Sequence, residues 1–467
     1  MKLLLVALNR EKHPYPVQPV GLAYIAEASR RAGHEVAFLD MNICSDPLES
    51  LEQIVANFAP VVIGFGLRNI DNCAFPNLEF YLPWAKEVVT HCRNISSAKL
   101  VIGGSGFAVM PKEILAYLDL EVGVMGEGEK SFLALLEAWS GNRDSSLDNV
   151  AGLALRKQAV YLETEPEWVA FGEQDFFPAR DLLDLPFYLR GGSLTAVQTK
   201  RGCPFRCTYC TYPLIEGRSL RMRSSAHVVD ELEHLQQTYG VEEIFFTDNV
   251  FNNPVQHAVE ICQEIVRRGI KISWTGFFNP ALMAEELADW AVRSGCVGIE
   301  FGTEGGTTTS LRALHKGFSI KTLVRSHHIA QSAGLKVCHY LIVGCPGETL
   351  STVREGFDLI ASLQPTAVIV STGIRIYPRT AIEKVAKSEG YNTKDLLIPQ
   401  FYFPPAMRED PGEMIATISK EYPQFRFEGF HSHPTLKLLE ALRRRGHRGP
   451  TWQLQSLLGE LKDPIQG

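Results

Sequence analysis

Three cysteines in the stretch KRGCPFRCTYC, Cys203, Cys207 and Cys210, are the residues whose type and spacing most directly imply chemistry. The spacing C-x3-C-x2-C places three thiols, not four, in one short loop. A [4Fe–4S] cube is normally held by four cysteines. Three would hold three of its irons and leave the fourth open to a substrate or cofactor. The aromatic Tyr209 stands directly before the third cysteine. The competing readings are a zinc site and three structural thiols. Zinc asks for a fourth Cys or His at a matched spacing, and no second C-x2-C exists in the chain, so zinc is disfavoured.

Such a loop needs a scaffold, and the composition bounds it. A chain of 467 residues is too long for one ordinary core, so two or three domains are expected. Hydrophobic residues at 45% and charged residues at 21% describe an ordinary globular protein. Lys and Arg number 46 against 53 Asp and Glu, a net charge of −7 with no dominant basic block, which argues against nucleic acid as the main partner. Ten scattered cysteines without a disulfide-like pattern fit a reducing cytoplasm, where an oxygen-sensitive cluster survives. The opening MKLLLVALNREKHPYP reads as a first strand rather than a signal peptide, and no stretch is long enough for a membrane span.

Residues 1–140 alternate short apolar runs with amphipathic stretches. Strands are expected at Lys2 to Leu8, Glu35 to Asp40, Val61 to Gly66 and Lys99 to Gly104, and helices at Leu22 to Ala32, Leu51 to Phe58, Leu82 to Cys92 and Met110 to Leu118. Alternation of this kind implies α/β architecture with a doubly wound parallel sheet, whose ligands bind beyond the carboxyl ends of the strands. Gly64, Gly66, Gly103, Gly104 and Gly106 fall in those loops, where they either admit a flat or phosphate-bearing ligand or only make tight turns. None forms G-x-G-x-x-G opening the first helix, so a nicotinamide fold is disfavoured. Residues 141–193 read as a linker containing a hairpin turned at Lys157 and Gln158, with Pro166, Pro178 and Pro186 breaking the rest. From 194 to 384 a strand, loop, helix pattern recurs about six times, and the cysteine loop follows its first strand, Thr195 to Thr199. In barrels, catalytic loops follow the carboxyl ends of strands.

These motifs resemble the cobalamin-binding (B12-type, class B) radical S-adenosylmethionine (SAM) enzymes. PVGLAYIAEASRRAGHEVAFLD, the GGSG loop and MGEGEKSF look like the amino-terminal cobalamin domain, a Rossmann-like fold. KRGCPFRCTYC and the strand ends behind it look like a partial (β/α)6 TIM-like barrel. The resemblance implies three cofactors: a [4Fe–4S] cluster on Cys203, Cys207 and Cys210, SAM, and cobalamin. For SAM it implies Tyr209, Asp248, Asn249, Gly302, Glu304 and Arg375, with G-x-P-G-E-T at Gly344 to Thr349 as a further family element. For cobalamin it implies Gly66, Arg68, Asn69, Gly104, Ser105, Gly126 and Glu127. One departure stands out. The D-x-H-x-x-G motif that supplies a histidine to cobalt is missing, and Asn9 to Pro14 occupies its place. Either cobalamin binds with its lower face unligated or the domain has lost it. Arg68 is the residue expected nearest the corrin, because a guanidinium holds its proton and cannot ligate; the alternative is a surface ion pair with Asp71.

The region 385–467 has helix candidates at Gly412 to Glu421, Pro434 to Arg445 and Thr451 to Leu461. The resemblance implies that it caps the barrel mouth, with Tyr402, Phe403, His431 and His433 on the substrate side. His339 alternates with Cys338 on the fifth strand, so one of the two points inward. The activity implied is C-methyl transfer to a small-molecule substrate, served by an external one-electron reductant of flavodoxin or ferredoxin type. Cyclisation or rearrangement on the same architecture, and a non-catalytic electron carrier, are the alternatives.

Overall fold

The computed structural model describes residues 1–141, 146–158, 160–171, 176–430 and 436–458. The chain divides into two compact units. The first comprises Met1–Asn72, Glu79–Tyr188 and Thr211–Arg218, and the second Cys73–Leu78, Leu189–Cys210 and Ser219–Gly467. Both are α/β.

The first unit is built on β1 (Lys2–Ala7), β2 (Glu35–Asp40), β3 (Val62–Gly66), β4 (Lys99–Gly103), β5 (Val122–Val124), β6 (Leu153–Lys157) and β7 (Val160–Glu163). The strand order is β2-β1-β3-β4-β5-β6-β7, parallel as far as β5. The LLLVA run of β1 is buried along its length, as a central strand covered on both faces must be. The helices between strands have legible starts: Asp46 caps the helix Pro47–Phe58 by accepting from the Glu49 amide at 3.0 Å, with Pro47 at its first position. The expected connector hairpin forms, yet it does more than connect. Leu153, Ala154 and Leu155 are buried, and β6 extends the sheet antiparallel to β5. Apolar residues on both faces of β6 gain more from completing the sheet edge than from standing alone.

The second unit contains β8 (Thr195–Val197), β9 (Lys200–Arg201), β10 (Arg221–Met222), β11 (Glu243–Phe246), β12 (Ser273–Phe278), β13 (Gly298–Glu304), β14 (Lys336–Val343), β15 (Ala367–Thr372), β16 (Ile374–Arg375), β17 (Phe401–Tyr402) and β18 (Arg426–Phe427). Its main sheet runs β18-β15-β14-β13-β12-β11-β8, parallel at every step. Among the described residues no ladder joins β8 to β18, so this is a partial barrel. The seventh strand, β18, comes from the tail and has too short an apolar run to be read from sequence. The helices after the strand-end loops start on Ser224, Thr307, Ser319, Thr349 and Thr380, each of whose hydroxyls accepts from an amide of the first turn.

The tail does not act as one cap over the mouth. Arg443 pairs with Glu243 at 2.7 Å at the start of β11, and Trp452 Nε1 donates to Glu300 at 3.0 Å. Gln453 donates to Val297 O at 3.1 Å, beside the start of β13. The helices Leu436–Arg444 and Thr451–Leu458 therefore close the end where the strands begin, opposite the cysteine loop. Tyr402 and Phe403 are core residues, 0% and 4% exposed, not lining of a substrate pocket. Tyr402 donates to Glu389 at 3.0 Å, and Phe403 packs with Val343, Val370 and Phe427. His431 and His433 lie outside the described residues.

Candidate active site

The cysteine loop leaves β9 and is pinned at both ends. Asp248, 0% exposed just past β11, accepts from Thr199 N at 2.7 Å, Lys200 N at 3.2 Å and Lys200 Nζ at 2.7 Å, and also from the Thr199 hydroxyl. Lys200 gives a further bond to Phe251 O at 2.9 Å. Burial lowers the Lys200 ammonium's pKa, and Asp248 offsets part of that. Within the loop, Cys210 N donates to Cys207 O at 3.3 Å. Thr208 N donates to Leu314 O at 3.2 Å, and Thr208 O accepts from Ile382 N at 2.9 Å.

Cys203, Cys207 and Cys210 are all free thiols. Among the described residues no three His, Cys, Asp or Glu side chains converge on a single ion. A cube takes one thiolate per iron, so its three sulfurs spread around it instead of meeting at a point. The donor set fits an iron–sulfur cube better than one zinc ion.

Two charged residues accompany the loop. Glu304 ends β13 with φ +52, a left-handed conformation rare outside glycine, and the β13–β14 register shifts between Gly302 and Glu304. The carboxylate folds back over Gly302, where a Cβ would sit 3.1 Å from Oε1. Lys316 forms an ion pair with it, the two side chains being 8% and 13% exposed. Tyr209 OH lies 3.4 Å from Lys316 Nζ and hydrogen-bonds Glu304 as well. Burial alone would lower the Lys316 pKa, but Glu304, with Cys207 and Cys210, outweighs it and holds the ammonium above its ordinary value. Burial likewise pushes the Cys207 thiol up, and Lys316 pulls it back. No sequence signal had singled out Lys316, because it lies in a loop without periodicity.

The other expected SAM residues are placed differently. Asp248 is committed to the strand before the cysteine loop. Asn249 is half-buried beside it. Arg375 is buried, donates to Ile376 O at 2.6 Å and Leu396 O at 2.9 Å, and stacks on Tyr377. The G-x-P-G-E-T turn has a plain structural reason. Glu348 accepts from Gly344 N and Cys345 N at 2.9 Å each, closing the loop, and Thr349 caps the next helix in a capping box with Thr352. His339 faces the helix layer, not the barrel interior. Its ring meets Thr303 Oγ1 at 2.7 Å and His327 at 2.9 Å. Burial lowers the two imidazoles to about 3 and about 4, so both are neutral at ordinary pH.

The first unit carries a cleft of ≈260 Å³ lined by residues after β1 and β3, among them Asn9, Glu11, Arg68, Asn69, Tyr81 and Trp84. Arg68 is 41% exposed and pairs with Glu11 at 3.6 Å. The Asn69 amide, oriented to satisfy both its ends, accepts from Arg68 Nη1 and donates to Arg68 O, each at 3.0 Å. Ser105 Oγ donates to Arg68 O at 2.8 Å. Gly104 has φ +104, and a Cβ there would lie 2.5 Å from Leu67 O, so the GGSG turn packs directly on the backbone that presents Arg68. Burial raises the Glu11 pKa, with Tyr81 hydrogen-bonded to it and Arg68 nearby pulling it down. Asn9 Nδ2 and Trp84 Nε1 are buried donors without a partner among the described residues. Such donors fit the amide-rimmed edge of a corrin. Gly66 lies against Leu22, away from the loop tip. Gly126 lies under Trp168, and Glu127 accepts from Val169 N at 2.8 Å, so both meet the connector.

Comparison with known proteins agrees with this geometry. Residues 197–360 match the model of the radical SAM superfamily, and residues 8–136 match that of the B12 binding domain. Tryptophan 2-C-methyltransferase of Streptomyces laurentii is 24% identical, over 80% of this chain and 72% of its own length. Cytidylyl-2-hydroxyethylphosphonate methyltransferase of Streptomyces wedmorensis is 28% identical, over 75% of this chain and 74% of its own. The radical S-adenosylmethionine methyltransferase TsrM from Kitasatospora setae, solved with cobalamin and a [4Fe–4S] cluster, superposes with a TM-score of 0.84 at 25% identity over 98% of both chains. No helix among the described residues is long and apolar enough to cross a membrane. With a three-thiol loop on a partial barrel, a cobalamin-type sheet domain and relatives alike in both halves, the chain belongs to the cobalamin-binding radical SAM enzymes, with [4Fe–4S], SAM and cobalamin as its cofactors.

Proposed function

We propose that the protein is a C-methyltransferase that places a SAM-derived methyl group on a carbon of a small-molecule biosynthetic intermediate. The observation that carries this reading is the likeness to TsrM over 98% of both chains, which takes in both cofactor regions at once. TsrM has been solved with tryptophan and a SAM analogue, which makes tryptophan the first compound to test here.

When bound, the cofactors supply the bond cleavage and methyl relay, and the protein supplies position and exclusion of water. In this reading residues 1–140 hold cobalamin and residues 194–384 hold the cluster and SAM. Cys203, Cys207 and Cys210 ligate the cluster, and Tyr209, Gly302, Glu304 and Asn249 line the SAM site. Asp248 and Arg375 position neighbouring backbone. With cobalamin bound, Arg68, held by Asn69 and Glu11, would present its guanidinium to the cofactor, and Gly104 and Ser105 would fix the loop that carries Arg68.

In the radical route a substrate C–H becomes C–CH3, and its hydrogen goes to 5′-deoxyadenosine. One SAM yields methionine and 5′-deoxyadenosine, a second yields S-adenosylhomocysteine, and two electrons come from an external one-electron donor of flavodoxin or ferredoxin type. In the polar route one SAM yields S-adenosylhomocysteine and the substrate proton is released, with no electron needed. Ten free cysteines and an oxygen-sensitive cluster suit a cytoplasmic setting.

The test is anaerobic reconstitution with cobalamin, SAM and reductant. S-adenosylhomocysteine together with a methylated product is the expected result; deoxyadenosine beside it marks the radical route. Deoxyadenosine with an isomerised, unmethylated product would overturn methyl transfer.

A further inference from the structure

Side chains alternate across a strand, and the two faces of the main sheet in the second unit are filled differently. On the helix side Phe246, Phe278, Phe301, Leu341 and Val370 are all 3% exposed or less. On the barrel side their neighbours Phe245, Phe277, Tyr340 and Ser371 are half-buried. The floor of the barrel is shut. Trp452 lies there against Cys338 and Ile369 and donates to Glu300 at 3.0 Å. Above that floor the interior stays accessible, and two features of unlike chemistry face it.

The first is a wall of rings. Phe245 meets Phe277 edge to face, centroids 5.3 Å apart, and Phe277 meets Tyr340 at 5.7 Å across β13, where Gly302 has no side chain to part them. The second is a carboxylate just past β18. Arg426 and Glu428 flank the buried Phe427, so both take the barrel side. Glu428 N donates to Val370 O at 2.9 Å, and its Oε2 accepts from Ser371 Oγ at 2.8 Å. The next residue locks the backbone: Gly429 has φ +80, a Cβ there would lie 2.2 Å from Phe75 O, and Asn77 Nδ2 donates to Gly429 O at 2.6 Å. Among the described residues Ser371 is the one hydrogen-bond partner of this carboxylate, and Arg426 acts on it by charge. Burial raises its pKa, and Ser371 and Arg426 pull it back. A carboxylate can accept about four hydrogen bonds, so most of its capacity is unused.

We propose that Glu428, with Ser371, selects the methyl acceptor by a basic amine, and that the acceptor is a flat apolar ring system carrying that amine, its ring on Phe245, Phe277 and Tyr340 and its ammonium on Glu428. The inference rests on the small-molecule methyltransferase reading above and names the class of its substrate. An ammonium suits this carboxylate because a charge-assisted bond offsets desolvation that a neutral hydroxyl alone does not. A flat ring suits the wall because rings prefer offset and edge-on contact with other rings. Spacing sets the size. Tyr340 stands on β14 and Glu428 two strands further along the sheet. Strands lie about 4.8 Å apart, so the two are about 10 Å apart, the reach of a bicyclic ring with a short amine arm.

The test is equilibrium dialysis of tryptamine, tryptophol and hexylamine against the reconstituted full-length protein, with iron and cobalamin content measured alongside. Tryptophol carries a hydroxyl where tryptamine has its amine, and hexylamine keeps the amine without the ring. Wild type is expected to bind tryptamine about 10- to 100-fold more tightly than tryptophol, the range of one charged hydrogen bond, and more tightly than hexylamine. Glu428→Gln with wild-type iron is expected to bind the two indoles alike. A glutamine variant that keeps the preference overturns the proposal. So does wild type that binds tryptamine no better than tryptophol or hexylamine, or binds none of the three, and this comparison decides alone should the variant lose its iron. These are binding outcomes, so the methyltransferase reading fails separately, by an unmethylated product in the reconstituted reaction.

Discussion

Replacing Glu300 by Gln should make the protein more stable at neutral and alkaline pH, by an amount the structure fixes. Glu300 lies on β13, 3% exposed, and its carboxyl takes the Trp452 indole N–H at 3.0 Å, with Tyr340 and Thr275 also bonded to it. Burial is the dominant influence; it outweighs those three bonds and raises the group from 4.5 to about 7. The folded chain therefore holds this proton more tightly than the unfolded chain. The stabilising contribution is whole below pH 4.5 and is lost as pH rises to about 7, beyond which a buried carboxylate must be carried. At ~1.36 kcal/mol per pH unit, the interval is worth about 3 kcal/mol. Gln keeps the acceptor for Trp452 and supplies donors for the two hydroxyls, but it has no proton to lose. Calorimetric scans of wild type and Glu300→Gln from pH 5 to 8.5 should show wild type falling more steeply, by about 5–10 °C in the transition of the second unit. In the same unit burial also raises Glu348, to about 7, and Glu428, so the variant retains the slopes of those two groups. Parallel curves for the two proteins would refute the reasoning.

Three further outcomes are expected. Asp248→Asn leaves Lys200 buried without a counter-charge, a loss of about 3–5 kcal/mol; iron per chain after reconstitution should fall sharply while cobalamin retention, read by absorbance, stays unchanged. Arg68→Ala should reduce methylated product with iron content and SAM binding intact, and unaltered turnover would return Arg68 to a surface pair with Glu11. Thr349→Ala removes a helix cap and half of a capping box, for about 1 kcal/mol, visible as a Tm lower by a few degrees with the cluster spectrum unchanged.

How far the sequence carried depends on the distance over which each signal acts. Periodicity is local, so every strand from β1 to β4 and the order of the barrel strands could be read from the alternation of apolar runs. The cysteine loop was legible for the same reason, since its three cysteines fall within eight residues of sequence. What could not be read is pairing across distance. Tyr188 bonding to Asp40, Trp452 to Glu300, or Lys316 to Glu304 leaves no mark near either residue. The edge strand β18 escaped because two residues show no period. The tail misled for a different reason. Amphipathic helices announce that they pack but not on which end of a barrel, and only Trp452 and Arg443 meeting strand starts decides it.

The two ends of the barrel also show why charge alone is a poor guide to function. At the closed end, Glu243 is held by Arg443 and by the Gly449 amide, and Glu300 by an indole and two hydroxyls. Each is covered by a helix of the tail. At the open end, Glu304 sits in strained backbone, on a bulge, against Lys316 and the Tyr209 hydroxyl. Geometry that costs energy and satisfies only its own partner is retained where a ligand completes it, whereas geometry already complete has nothing left to bind. By that criterion Asp248, Arg375 and Glu348 have their bonds filled within the fold, whereas among the described residues Glu304 and Lys316 pair with each other and with Tyr209.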